Sequence, residues 1–114
     1  MDNGIPQEGN VLWMVLEPTV GHEQGGQYPR PVIVLSHEAH NGPSHRIVGV
    51  PCTTKGRGFI TEIPIASLPK QCVALIDQIT TLDWVGRHAH YRGKNVSPAE
   101  LVAIKRSLRA FLML

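Results

Sequence analysis

Cysteine is scarce in this 114-residue chain: only Cys52 and Cys72 are present, twenty positions apart, with no CxxC. That rules out a disulfide-dense secreted scaffold, and the pair reads as reduced, small apolar side chains. Long apolar runs are also missing. The best, Val32 to Leu35, falls far short of the ~20 residues that cross a bilayer, so no membrane association is expected. The start, Met-Asp-Asn-Gly-Ile-Pro, carries neither a basic region nor an apolar core of a secretory signal, so a cytoplasmic protein is expected. There is no internal repeat and no low-complexity tract. Gly25-Gly26 and Gly56-Arg57-Gly58 lack the spacing of a P-loop or dinucleotide fingerprint. The six histidines form no HExxH, and neither cysteine stands at ligand spacing to them, so no metal or other cofactor is expected.

What is present fits one compact domain over residues 1–114. Apolar residues make up 42% and charged residues 18%, well inside the globular range. Net charge is only +2, yet it is unevenly laid out. Residues 1–44 hold one base, Arg30, against five acids, whereas residues 45–114 hold ten bases against four acids. Lys55, Arg57, Arg87, Arg92 and Lys94 could form a basic face for phosphates, or simply a solvated surface.

Asn10–Leu16 reads as a first strand and Pro31–Ser36, rich in β-branched residues, as a central strand buried on both faces. Arg46–Thr53, Phe59–Ile65 and Gln71–Ile76 read as three more, followed by the stretch Ile79–Trp84. His37–Ser44, punctuated by Asn41-Gly42-Pro43, reads as a turn. The tail differs in period. Ser97-Pro98-Ala99-Glu100 is a capping box with proline in the first turn, and Leu101, Ile104, Leu108 and Phe111 form one helical stripe. The fold expected is mainly β, an antiparallel barrel of five or six strands with a terminal helix packed on it.

The best candidate site is the polar segment Gly21–Pro31, where Glu23 and Arg30 flank the Gly25-Gly26 pair just before the central strand. Its plain alternative is a surface hairpin with one ion pair, worth well under ~1 kcal/mol if exposed. Pro51-Cys52-Thr53-Thr54-Lys55 adds hydroxyls and a cation at a strand end.

Taken together, Trp13, Leu16-Glu17-Pro18-Thr19, Gly21-x-Glu23-Gln24-Gly25-Gly26 and Arg30–Ser36 resemble the opening of MazF/PemK-type toxins. The resemblance continues through Val50–Thr54, Lys55-Gly56, Val73–Gln78 and Thr81–Trp84 to the closing helix, about residues 9 to 112. It implies an SH3-like antiparallel barrel of the MazF/PemK/CcdB kind, a homodimer, and a cognate antitoxin protein whose flexible tail covers the site. It also implies a metal-independent endoribonuclease acting on single-stranded RNA, commonly mRNA, and leaving 2′,3′-cyclic phosphate and 5′-hydroxyl ends. Arg30 and Thr53 would then contact the scissile phosphate, with Glu23 as base or as the group orienting Arg30. His22 is a second acid/base candidate. Asp77 and Gln78 resemble the family's RNA-contacting pair, and Gln24, Tyr28, Lys55 and Arg57 are further candidates for RNA contact. The segment from Gly26 to Arg30 is two residues longer than the family's, through Gln27-Tyr28-Pro29. Two other readings use the same barrel: a gyrase-poison type that binds protein, and a catalytically silent RNA binder.

Overall fold

The computed structural model describes residues 1–16 and 28–114. The sheet begins with β1 (Asn10–Met14), where alternation sends Val11 and Trp13 to one face and Leu12 and Met14 to the other. β2 (Arg30–Val34) runs antiparallel to it, with Val11 opposite Ile33 and Met14 opposite Arg30. Val32, Ile33 and Val34 are all fully buried, as a central strand covered on both faces requires.

β3 (Arg46–Thr53) is the hub. One edge pairs β2, with Val32 opposite Pro51 and Val34 opposite Gly49. The other edge is shared: residues 46–49 pair β6 (Thr80–Asp83), and Cys52 and Thr53 pair β5 (Cys72–Leu75). β4 (Glu62–Ile65) closes onto β5, and β7 (His90–Asn95) lies along β1 with a register shift between Asn10 and Leu12. Every pairing is antiparallel, in the order β4-β5-β3-β2-β1-β7 with β6 on β3. Helix α2 (Pro98–Leu112) starts at the capping box Ser97–Glu100 and seals one face. There Ile104, Leu101 and Leu108 meet Val11, Ile33, Val50, Ala74 and Ile76. A second cluster, built on Leu12, Met14, Val32, Val34, Ile47 and Leu82, fills the opposite face.

The architecture is the mainly β, antiparallel one with a terminal helix that the sequence predicts; beyond shifts of one or two residues at the ends of β1, β2, β5 and β6, it differs from that reading at four points. Among the described residues it has seven strands: β7 escaped because five of its six residues are exposed and its composition is polar. β4 begins at Glu62, since Phe59–Thr61 form a turn before it, closed by the Glu62 N–H donating to the Phe59 carbonyl at 3.0 Å. The segment read as a turn is a helix, α1 (Glu38–Ser44). It forms despite Gly42 and Pro43 because buried Asn41 ties it down, donating to the carbonyls of Pro6 at 2.9 Å and Ser36 at 3.0 Å. Finally, the apolar stripe of α2 stops at Leu108; Phe111 lies exposed near the helix end. Both cysteines are free and buried. No helix among the described residues is long and apolar enough to cross a membrane.

Candidate functional site

Arg30 opens β2, one residue before Pro31, so its Cα is fixed by the sheet. The β2–β3 ladder ends at the Val32–Pro51 pair, with Arg30 two residues before it on β2 and Thr53 two residues beyond it on β3. The half-buried Arg30 guanidinium donates through Nη2 to the Cys52 carbonyl at 3.4 Å. A guanidinium carries five N–H donors, so this bond orients the group without exhausting it. Thr53 ends β3. Its Oγ1 accepts the Lys55 N–H at 3.1 Å, which turns the chain out of the sheet and leaves the hydroxyl proton for another acceptor.

Beyond Thr53 lies a groove of about 280 Å³ lined by Thr53, Lys55, Arg57, Phe59, Glu62, Leu75, Asp77 and Gln78. Two pieces of backbone build it. One is the β3–β4 loop carrying Lys55, Arg57 and Phe59. The other is a single 3₁₀ turn, Ile76–Gln78, anchored by fully buried Ile76, whose N–H donates to the Thr61 carbonyl at 3.1 Å. Burying Ile76 leaves its neighbours Asp77 and Gln78 exposed at the groove. Two cations thus share one open cleft with the Asp77 carboxylate and the Gln78 amide.

Of the sequence-predicted residues, Thr53, Lys55, Arg57, Asp77 and Gln78 come together here, although up to twenty-five positions separate them. Arg30 stands behind them at the sheet end, and Tyr28 is largely exposed just ahead of β2. Glu23, Gln24 and His22 lie outside the described residues. The other expected basic residues go elsewhere. Arg87 donates to the carbonyls of Val15 and Leu16, both at 2.8 Å, and Arg92 stacks over Trp13, 4.7 Å from the ring centre. Among the described residues no three His, Cys, Asp or Glu side chains are grouped as metal ligands.

Three groove residues escaped the sequence reading as site residues: Phe59, Glu62 and Leu75. The Glu62 carboxyl sits below its ordinary range, held there first by the Arg57 amide; desolvation, the next largest effect, opposes this, and the amides of Gly58 and Phe59 and the Arg57 charge add smaller pulls downward. The available signal was an acid a few residues beyond a Gly-x-Gly loop, and it is weak, because nothing in the spacing says which way the side chain turns.

Residues 7–112 match the family described as PemK-like, MazF-like toxin of type II toxin-antitoxin system. The chain is 34% identical over 108 residues to the endoribonuclease toxin MazF of Escherichia coli K12, covering 95% of both chains. Its structure is similar to the crystal structure of MazF from Deinococcus radiodurans, with a TM-score of 0.82 and 32% identity over 96% of this chain and 98% of that one. It is also similar to a mycobacterial endoribonuclease in complex with its cognate antitoxin, with a TM-score of 0.73 and 25% identity over 97% and 96% of the two chains. The barrel-like sheet and closing helix are therefore shared from end to end, and this chain belongs to the PemK-like, MazF-like toxins of type II toxin–antitoxin systems.

Proposed function

We propose that this chain is an endoribonuclease toxin that cuts single-stranded RNA, mRNA above all, at a short sequence and without a metal ion. The single observation that carries the reading is the groove lined by Thr53, Lys55, Arg57, Asp77 and Gln78, with the Arg30 guanidinium bonded to the carbonyl of Cys52, the residue before Thr53. The E. coli relative's name as an endoribonuclease toxin supports it.

In the proposed reaction, a base removes the proton of a ribose 2′-hydroxyl. The 2′-oxygen then bonds to the adjacent phosphorus, and the bond from phosphorus to the 5′-oxygen breaks as that oxygen gains a proton. The products are a 2′,3′-cyclic phosphate and a 5′-hydroxyl. Arg30 clamps the phosphorane, because a planar guanidinium matches two phosphate oxygens and stays charged throughout. Thr53 donates its hydroxyl to the same group. Glu23 is the base or the residue that orients Arg30, with His22 the other candidate for proton transfer. Asp77 and Gln78 read edges of unstacked bases, while Lys55, Arg57, Gln24 and Tyr28 hold the strand.

The protein works as a cytoplasmic homodimer, and the two free, buried cysteines suit a reducing compartment. A cognate antitoxin restrains it through an extended acidic and apolar tail laid across the groove, as befits a segment that orders on binding.

The test is incubation of chelator-treated protein with single-stranded RNA at neutral pH, followed by analysis of the ends. Cyclic phosphate and 5′-hydroxyl ends are expected. Arg30→Ala should lose on the order of 10²-fold or more in rate while keeping the circular dichroism of the parent. RNA left intact by the parent refutes the activity, and an Arg30→Ala variant that cuts normally refutes the role of Arg30.

A further inference from the structure

The β3–β4 loop is held from within by one carboxylate. Glu62 Oε2 accepts the Arg57 N–H at 2.9 Å, and Oε1 accepts the Gly58 N–H at 3.0 Å. Two glycines make this possible. A Cβ at Gly56 would stand 2.7 Å from Glu62 Oε1 and 3.0 Å from Val73 Cγ2, so any side chain there would push the carboxylate away. Gly58 takes φ +80°, which costs other residues strain. At the loop's other end Thr53 holds the Lys55 amide. A stretch without strand pairing is thus bonded at both ends. The Glu62 charge is directed into backbone amides, which lets an acid line this groove with little repulsion toward phosphate.

What the fixed loop displays is Phe59. The chain has only two phenylalanines, and this one is 57% exposed on the groove beside Lys55, Arg57, Asp77 and Gln78. An aromatic face for stacking, cations for the backbone, and an amide with a carboxylate for base edges are the three elements that hold an unpaired nucleotide. We propose that Phe59 is the stacking platform for one unpaired base of the RNA, and that Glu62 is the positioning residue that holds this platform in register with the cutting site. The inference rests on the ribonuclease reading and adds to it a subsite that helps determine which sequence is cut.

The experiment uses the full chain and an oligoribonucleotide containing its cleavage site, mapped by sequencing 5′ ends. The scissile nucleotide is made 2′-deoxy for binding, and 2-aminopurine is placed in turn at each flanking position. Quenching at one position is expected with the parent. Phe59→Leu should abolish it and raise KM on the cleavable RNA about tenfold or more, with kcat nearly unchanged, and Phe59→Tyr should restore both. Glu62→Ala should raise KM similarly and broaden the set of sites cut, whereas Glu62→Gln, which keeps an acceptor oxygen, should recover much of the selectivity.

Unchanged KM, quenching and cut sites in Phe59→Leu would overturn the proposal while leaving the ribonuclease reading intact. So would a Phe59→Leu effect confined to antitoxin binding or to oligomeric state. Should the parent cut no RNA, the earlier reading fails, and the platform is judged by fluorescence anisotropy on a labelled single-stranded RNA pool. There, weaker binding by Phe59→Leu sustains it and equal binding overturns it.

Discussion

Arg30 and Cys52 meet at the sheet end, where the guanidinium bonds the Cys52 carbonyl while the Cys52 thiol is packed into the core. Burial, with a smaller push from Cys72, drives that thiol from 9.0 up to about 12, against the pull of Arg30 and with a minor push from Glu100. A thiol whose folded pKa is raised stays protonated when the unfolded chain has already lost its proton. Its contribution is therefore complete below pH 9 and falls as pH rises toward 12, with a slope approaching ~1.4 kcal/mol per pH unit. Urea melts of the parent should weaken between pH 8 and pH 10.5 more than those of Cys52→Ala; equal losses would contradict the assignment. The sequence marked Arg30 and Thr53 as candidates through a cation before a β-branched run, hydroxyls at a strand end and the family resemblance. Phe59 and Glu62 were not so marked. Their importance lies in which backbone amides a carboxylate reaches and which ring a turn turns outward, and neither leaves a periodic trace.

At the scale of elements, α2 was readable almost to the residue, since its start is written in local hydrogen-bond chemistry. The capping box is complete: Ser97 Oγ accepts the Glu100 N–H at 3.1 Å, and Glu100 Oε1 accepts the Ser97 N–H at 2.8 Å. The same carboxylate also accepts from Ser67, from its N–H at 3.2 Å and its hydroxyl at 2.6 Å, which pins the helix to the chain beyond β4. Burial works to raise the Glu100 pKa, but these bonds from Ser67 and Ser97 together hold it below 4.5. The stability it adds is thus present above that value and lost as pH falls through the lower folded one. Ser97→Ala should cost about 1 kcal/mol. Glu100→Ala should cost about 2 kcal/mol at pH 7 and less near pH 3, as read from denaturant midpoints. α1 and β7 resisted reading for the opposite reason. The first exists because buried Asn41 is bonded to Pro6 and Ser36, with the Trp84 indole donating to its carbonyl at 2.9 Å; the second exists because β1 has an edge to fill. Partners distant in sequence specify both.

For the whole molecule, the uneven charge of the sequence resolves into different tasks. Lys55 and Arg57 face the groove with Arg30 behind them, whereas Arg87 and Arg92 are spent on backbone carbonyls and on Trp13. Three phosphate contacts predict that log K for single-stranded RNA falls against log salt with a slope near about −2, shrinking by about 0.7 in Lys55→Ala or Arg57→Ala. Titrations across salt concentrations measure this, and a slope unaffected by both substitutions would place the RNA elsewhere. Alternation, β-branched runs and a capping box settle strands, a terminal helix and an antiparallel arrangement from the chain alone, because each is a short-range rule about backbone and burial. Long-range register does what such rules cannot. It brings the Arg30 guanidinium to the Cys52 carbonyl, brings the Ile76–Gln78 turn up to the β3–β4 loop, and turns Glu62 inward beneath that loop. Those meetings depend on which strands pair and with what offset, and only the folded sheet contains that information.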